Sequence, residues 1–244
     1  MGALVDSVGD ILSRVERHVE ASSQNISNAT TPGYKRAVSF EQMLEASATG
    51  PGSDDAGGAF GVQTRPGLAI DMSAGPPINT NNSNDLAILG AGFFAVRASG
   101  GEVLYTRQGQ FERDGAGHLV TAQGGIVQQS GGGDLVLGAG DFKVLPDGTV
   151  IQSAEAVGRI AIVALTDPTA LHYADGGLYS APAATVVAVN DPTVSQGMLE
   201  ASNVSLGAEM ISIMAALREA QSGQRLMSVY DDLMGRAIST FGQV

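Results

Sequence analysis

The sequence predicts an α+β protein: N- and C-terminal helices that pair as a coiled coil, with a central all-β domain between them. Three observations predict it. Apolar residues near both termini recur at alternating spacings of three and four, the middle of the chain switches to two-residue alternation, and Asp-Gly pairs punctuate that middle as hairpin turns. At 244 residues the chain can bury a core without disulfides or metals.

The first helix rests on Val5, Val8, Leu12, Val15, Val19 and Ile26, with Ser22 where the spacing calls for an apolar residue. Asp10, Arg14, Arg17 and Glu20 take the opposite face. A lone helix of this length is marginal in water, so it needs a partner. The C-terminal end supplies one. Leu206, Ile213, Ala220, Met227, Met234 and Phe241 recur every seventh residue beside a second row of Met210, Leu217 and Ile238, which Gln224 and Asp231 interrupt. Asn203 or Ser205 is a candidate N-cap, and Gly235 and Gly242 weaken the far end.

Residues 45–62, EASATGPGSDDAGGAFGV, are rich in Gly, Ala, Ser and Asp and read as a linker. Short strand candidates follow at 86–89, 93–97, 103–106, 110–113, 118–121, 126–129, 135–137, 143–145, 149–152, 159–165 and 185–189. Asp114-Gly115, Asp147-Gly148 and Asp175-Gly176 are the turn signals among them. The expected organisation is an axial helix and polar motif over 1–36, a linker and extended segment over 37–78, a β domain over 79–200 and a second axial helix over 201–244.

Composition excludes several functions. Thirteen basic residues against twenty-five acidic ones give a net charge of −12, without a basic aromatic patch, so no nucleic-acid partner is expected. Cysteine is absent, which removes thiol catalysis and cysteine metal sites. The first residues lack a basic stretch before a long apolar run, so no cleaved signal peptide is expected. No window is apolar enough to cross a bilayer, so no membrane insertion is expected. His18, His118 and His172 have no metal-ligand spacing. Ser130-Gly-Gly-Gly-Asp134 lacks the Lys-Ser/Thr of a phosphate loop, and Asp71, Asp85, Asp134 and Asp141 lack the spacing of a calcium loop. The expectation is a protein with no catalytic residues, metal or cofactor.

The most informative stretch follows the first helix: Ser22-Ser-Gln-Asn-Ile-Ser-Asn-Ala-Thr-Thr-Pro-Gly-Tyr-Lys-Arg36. Amides at Gln24, Asn25 and Asn28 can fix register by bonding neighbouring backbone. Thr31-Pro32 favours extended chain, Gly33 can take a left-handed conformation, and Tyr34 becomes an anchor beside Lys35 and Arg36. Taken alone, these features also suit an ordinary helix stop with a buried Tyr.

Asn25-Ile-Ser-Asn-Ala-Thr-Thr-Pro-Gly-Tyr-Lys35 resembles the motif after the N-terminal helix in the flagellar rod and hook family of bacterial axial proteins. The likeness continues, in order, at Asp85-Leu-Ala-Ile-Leu-Gly-Ala-Gly-Phe-Phe-Ala-Val96, Tyr105-Thr-Arg-Gln-Gly-Gln-Phe111, Gly117-His-Leu-Val-Thr121, Gly197-Met-Leu-Glu-Ala-Ser-Asn-Val204 and Asp232-Leu-Met-Gly-Arg-Ala-Ile238. It departs from that family at Arg218-Glu-Ala-Gln-Ser-Gly-Gln224. The resemblance implies a structural subunit of the basal-body rod in the periplasm. Such a subunit polymerises through its terminal helices with copies of itself and other rod proteins into a torque-bearing shaft, and reaches the rod through the flagellar type III export apparatus. Length favours the proximal-rod type; a distal-rod or hook subunit is the alternative, and a secreted β-domain enzyme or carbohydrate-binding module the rival from another class. The implied assembly residues are Val5, Val8, Leu12, Val15, Val19, Asn25, Ile26, Asn28, Pro32, Gly33, Tyr34, Asn203, Met210, Ile213, Leu217, Met227, Met234 and Ile238.

Overall fold

The computed structural model describes residues 2–39, 68–167 and 170–241, so the linker read at 45–62 lies outside the described residues. Helix α1 spans Gly2–Ser27 and helix α2 spans Leu206–Phe241, with eighteen short strands between them among the described residues. The protein is thus mostly β, with one helix at each end, and the central β region follows the two-residue alternation of the sequence.

The expected α+β class with a terminal coiled coil is corrected here. Helix α1 does touch α2: Arg14 pairs with Glu219, and the His18 ring bonds the Ser212 hydroxyl. The face that α2 buries, however, carries Glu209, Ala216 and Gly223, while Met210 and Leu217 of the expected second row are 56% and 50% exposed. The physical reason is size. A methyl built at Gly223 would meet Val8 and Ile11 at 3.8 Å, so at this approach the small Gly223, not a large apolar residue, faces α1.

Contacts divide the chain into two compact units. One contains α1, the strand Ala37–Ser39 and α2; the other contains residues 28–36 and 69–204. In the second, a nine-stranded sheet is built around Phe93–Arg97, which pairs antiparallel with Val103–Thr106, Ile126–Val127 and Ile162–Leu165. Alternation sends Phe94 and Val96 into a core with Leu86, Leu119 and Val127, and Phe93 and Ala95 into another with Ile70, Tyr105 and Tyr179. With both faces covered, the strand reads as a continuous apolar run. Phe94 meets Phe111 edge-on at 5.3 Å.

Asp147-Gly148 turns the chain between Phe142–Val144 and Thr149–Gln152, with Gly148 at φ +83°. Residues 135–137 are not a strand; Val136 makes an isolated bridge to His118. Late in the β region, Val194–Gln196 pairs with Leu86–Ile88, and Met198–Glu200 with Pro77–Asn79. That return brings Glu200 to the place where residues 31–36 join the β unit.

Candidate functional site

Past α1 the chain folds into a turn. Thr31 N–H donates to the Asn28 carbonyl at 3.1 Å, Thr31 Oγ1 donates to Asn28 Oδ1 at 3.3 Å, and Tyr34 N–H donates to the Thr31 carbonyl at 3.3 Å. Gly33 sits at φ +69°, and a Cβ there would lie 2.3 Å from the Arg107 carbonyl carbon. Only glycine combines that dihedral with so close an approach. Its N–H donates to the Glu200 carbonyl at 2.7 Å.

The next two residues enter the β unit. Tyr34 is 1% exposed and edge-on to Tyr173, which contacts Tyr179, which contacts Phe93. The Tyr179 hydroxyl accepts the Lys35 backbone N–H at 3.1 Å, and burial pushes that phenol's pKa up. Lys35 Nζ donates to Glu200 Oε1 at 2.6 Å and to the Ser73 carbonyl at 2.7 Å. Gly75 N–H donates to the same Oε1 at 2.9 Å.

The other oxygen of Glu200 accepts from Arg107 Nη1 at 3.0 Å. Arg107 also donates to the carbonyls of Ile88 and Gly90 and stacks over the Phe93 ring at 5.4 Å. Lys35, Arg107 and Glu200 are 2%, 4% and 4% exposed. Desolvation pulls both cations' pKa values down, and the Glu200 carboxylate opposes it. A buried carboxylate is tolerated because two cations and a backbone N–H surround it.

Asn203 completes the junction. Its Oδ1 accepts the Arg36 N–H at 2.7 Å, and its Nδ2 donates to the carbonyls of Asp71 at 3.0 Å and Ser73 at 3.1 Å. In the other unit, the Asn25 amide binds both polar groups of the Ala37 backbone, each at 2.8 Å, as a neighbouring strand would.

The structure therefore brings Gly33, Tyr34 and Asn203 together, with Pro32 beside them and Asn28 in the turn that precedes them. Asn25, Val8 and Val15 are buried, whereas Leu12, Val19, Ile26, Ile213, Met227 and Met234 are half-buried. Met210 and Leu217 stand in solvent, and the side chains of Val5 and Ile238 lie outside the described residues. Sequence reasoning did not single out Glu200 or Arg107, and saw Lys35 only as a base beside Tyr34. Yet each lies inside a motif quoted above, and four motifs remote in sequence meet at this one knot. Among the described residues no group of His, Asp and Glu could hold a metal ion, and no helix is long and apolar enough to cross a membrane.

Helix α2 is less covered than its length requires. Leu206, Met210, Ile211, Met214, Leu217, Leu226, Val229 and Leu233 are 45–64% exposed. A tightly tied β unit together with a long helix of uncovered apolar surface defines a structural subunit made for assembly.

Comparison with known proteins gives the same class. The family described as flagellar hook protein FlgE/F/G D1 domain matches residues 87–162, and that described as flagellar basal body rod FlgEFG protein C-terminal matches 195–240. The flagellar basal-body rod protein FlgF of Caulobacter vibrioides is 35% identical over 236 residues, 94% of each chain. The rod protein FlgG of Bacillus subtilis is 30% identical over 246 residues, covering 91% of this chain and 92% of the relative. The FlgF of Escherichia coli is 28% identical over 236 residues, 88% of this chain and 89% of the relative. The chain belongs to the flagellar basal-body rod protein family, as the sequence motifs lead one to expect.

Proposed function

We propose that this protein is a structural subunit of the bacterial flagellar basal-body rod, of the proximal type, which polymerises through its terminal helices into the shaft that carries motor torque. The observation that carries the reading is the uncovered apolar surface of α2, whose burial against neighbours would supply roughly 1.5–3 kcal/mol for each large side chain removed from water. The 35% identity to a FlgF favours the proximal type, and the 30% identity to a FlgG makes a distal-rod subunit the second reading.

On this reading the partners are copies of the chain and other rod proteins. The subunit reaches the periplasm through the flagellar type III export apparatus, and works without catalysis, metal or cofactor, without binding nucleic acid and without inserting in a membrane. The implied assembly residues act in two ways: Asn28, Pro32, Gly33, Tyr34 and Asn203 set the junction, while Met210 and Leu217 meet neighbours.

The test is a full-length Met210→Gln, Leu217→Gln variant in cells lacking the native copy. Its β unit should fold, as near-ultraviolet circular dichroism reads, while swimming and recovery of the chain in isolated basal bodies are lost. Normal swimming with normal recovery would overturn the assembly role of this face. Gold labelling along isolated rods separates proximal from distal placement.

A further inference from the structure

We infer that α2 is gripped on opposite flanks by two further copies of this chain, through two different apolar patches joined head to tail. The inference rests on the rod-subunit reading and specifies its contacts. At about 100° per residue, Leu206, Met210, Met214 and Leu217 fall within about 80° of one another, on one side of the buried line of Glu209, Ala216 and Gly223. Leu226, Val229 and Leu233 fall within about 60° of one another on the other side. Ile211 shares that second flank about 18 residues, or about 27 Å, N-terminal to its centre.

The two patches are separated by Arg218-Glu-Ala-Gln-Ser-Gly-Gln-Arg225, which exposes no large apolar side chain. Their centres are about 17 residues apart, or about 26 Å along the helix. Pairing like with like at one patch makes a closed two-fold dimer and leaves the other patch bare. Packing the first patch of one copy on the second patch of the next covers both, treats every copy alike, and extends without closing. Each successive copy is then staggered by about the separation of the patches, 26 Å.

Charge favours a second copy as the occupant. The chain carries −12, so copies repel at long range and a contact needs local cations. Arg218 and Arg225 are exposed on the outer side of α2, between the patches, whereas among the described residues α1 exposes Asp10, Glu16 and Glu20 beside Arg17, its other exposed arginine, Arg14, being paired with Glu219. The α1 surface of a neighbouring copy thus offers those arginines the complementary sign.

The absence of cysteine makes the test direct. Chains carrying Met214→Cys or Val229→Cys, with different tags, are expressed together, and basal bodies are isolated and oxidised. The expected product is the mixed 214–229 dimer, and a chain carrying both substitutions should give a ladder. Dimers of 214 with 214 or 229 with 229, cross-links to a different rod protein alone, or no cross-link despite the chain's presence in the basal body would each overturn the inference. Met210→Cys with Leu233→Cys repeats the test if the first pair disturbs folding. Absence of the unsubstituted chain from basal bodies would instead overturn the rod-subunit reading itself.

Discussion

Without the Glu200 carboxylate, Lys35 and Arg107 would face each other as two buried cations in a site that excludes water. Removing one partner of a buried ion pair typically costs about 3–5 kcal/mol. Glu200→Ala should therefore lower the urea midpoint far more than Lys35→Met, which leaves Glu200 still paired with Arg107; equal losses would show that Lys35 carries the knot instead. None of this is visible along the chain, because Lys35 and Glu200 lie 165 positions apart and an isolated charge in a sequence reads as a solvated one. Gly33 and Tyr34 were legible, since a Pro-Gly after a helix needs only local chemistry to interpret.

At the scale of elements, the heptad spacing of α2 offers Met210 and Leu217 for packing within or between subunits without saying which. Close approach to α1 favours small side chains, and Ala216 and Gly223 occupy that line. Gly223 still leaves room for a methyl group. A methyl there fits in ordinary contact with Val8 and Ile11, so Gly223→Ala should stabilise the helix by about 1 kcal/mol. Thermal unfolding followed by far-ultraviolet circular dichroism checks it; a lowered midpoint would mean the helices pack more tightly than that contact indicates. Asp-Gly turns and β-branched runs were readable among the strands, whereas Glu155–Arg159, His172–Asp175 and Met198–Glu200 were not. Their sequences carry little alternation: the first two are defined by pairing with the adjacent Thr149–Gln152 and Leu178–Ser180, and the third by a remote partner, Pro77–Asn79.

For the whole molecule, alkaline pH offers a test of the buried polar groups together. Burial raises the pKa of Tyr179 and Tyr105 above the 10.0 of an exposed phenol. Each gives stability that is complete below pH 10.0 and drains away as pH climbs toward the raised value. Lys35 works in the opposite direction: its lowered pKa makes the folded state bind fewer protons, so stability is gained as pH rises through that value and levels off at 10.5. Beyond 10.5 Lys35 adds nothing more, and the phenols pull stability down while Arg107, whose pKa burial also lowers, opposes part of that fall. Tyr179→Phe should make that fall shallower in urea titrations, and an unchanged slope would show that the phenol ionises without unfolding. The residues that join the β unit from the N-terminal side and those that leave it are also bound to each other: Gly33 to the Glu200 backbone, Lys35 to its carboxylate, and Arg36 to Asn203. In mechanical terms this is a shunt. Tension applied at Tyr34 passes sideways to residues 200–203 as shear across several bonds loaded in parallel, so the sheet beyond is spared the strain.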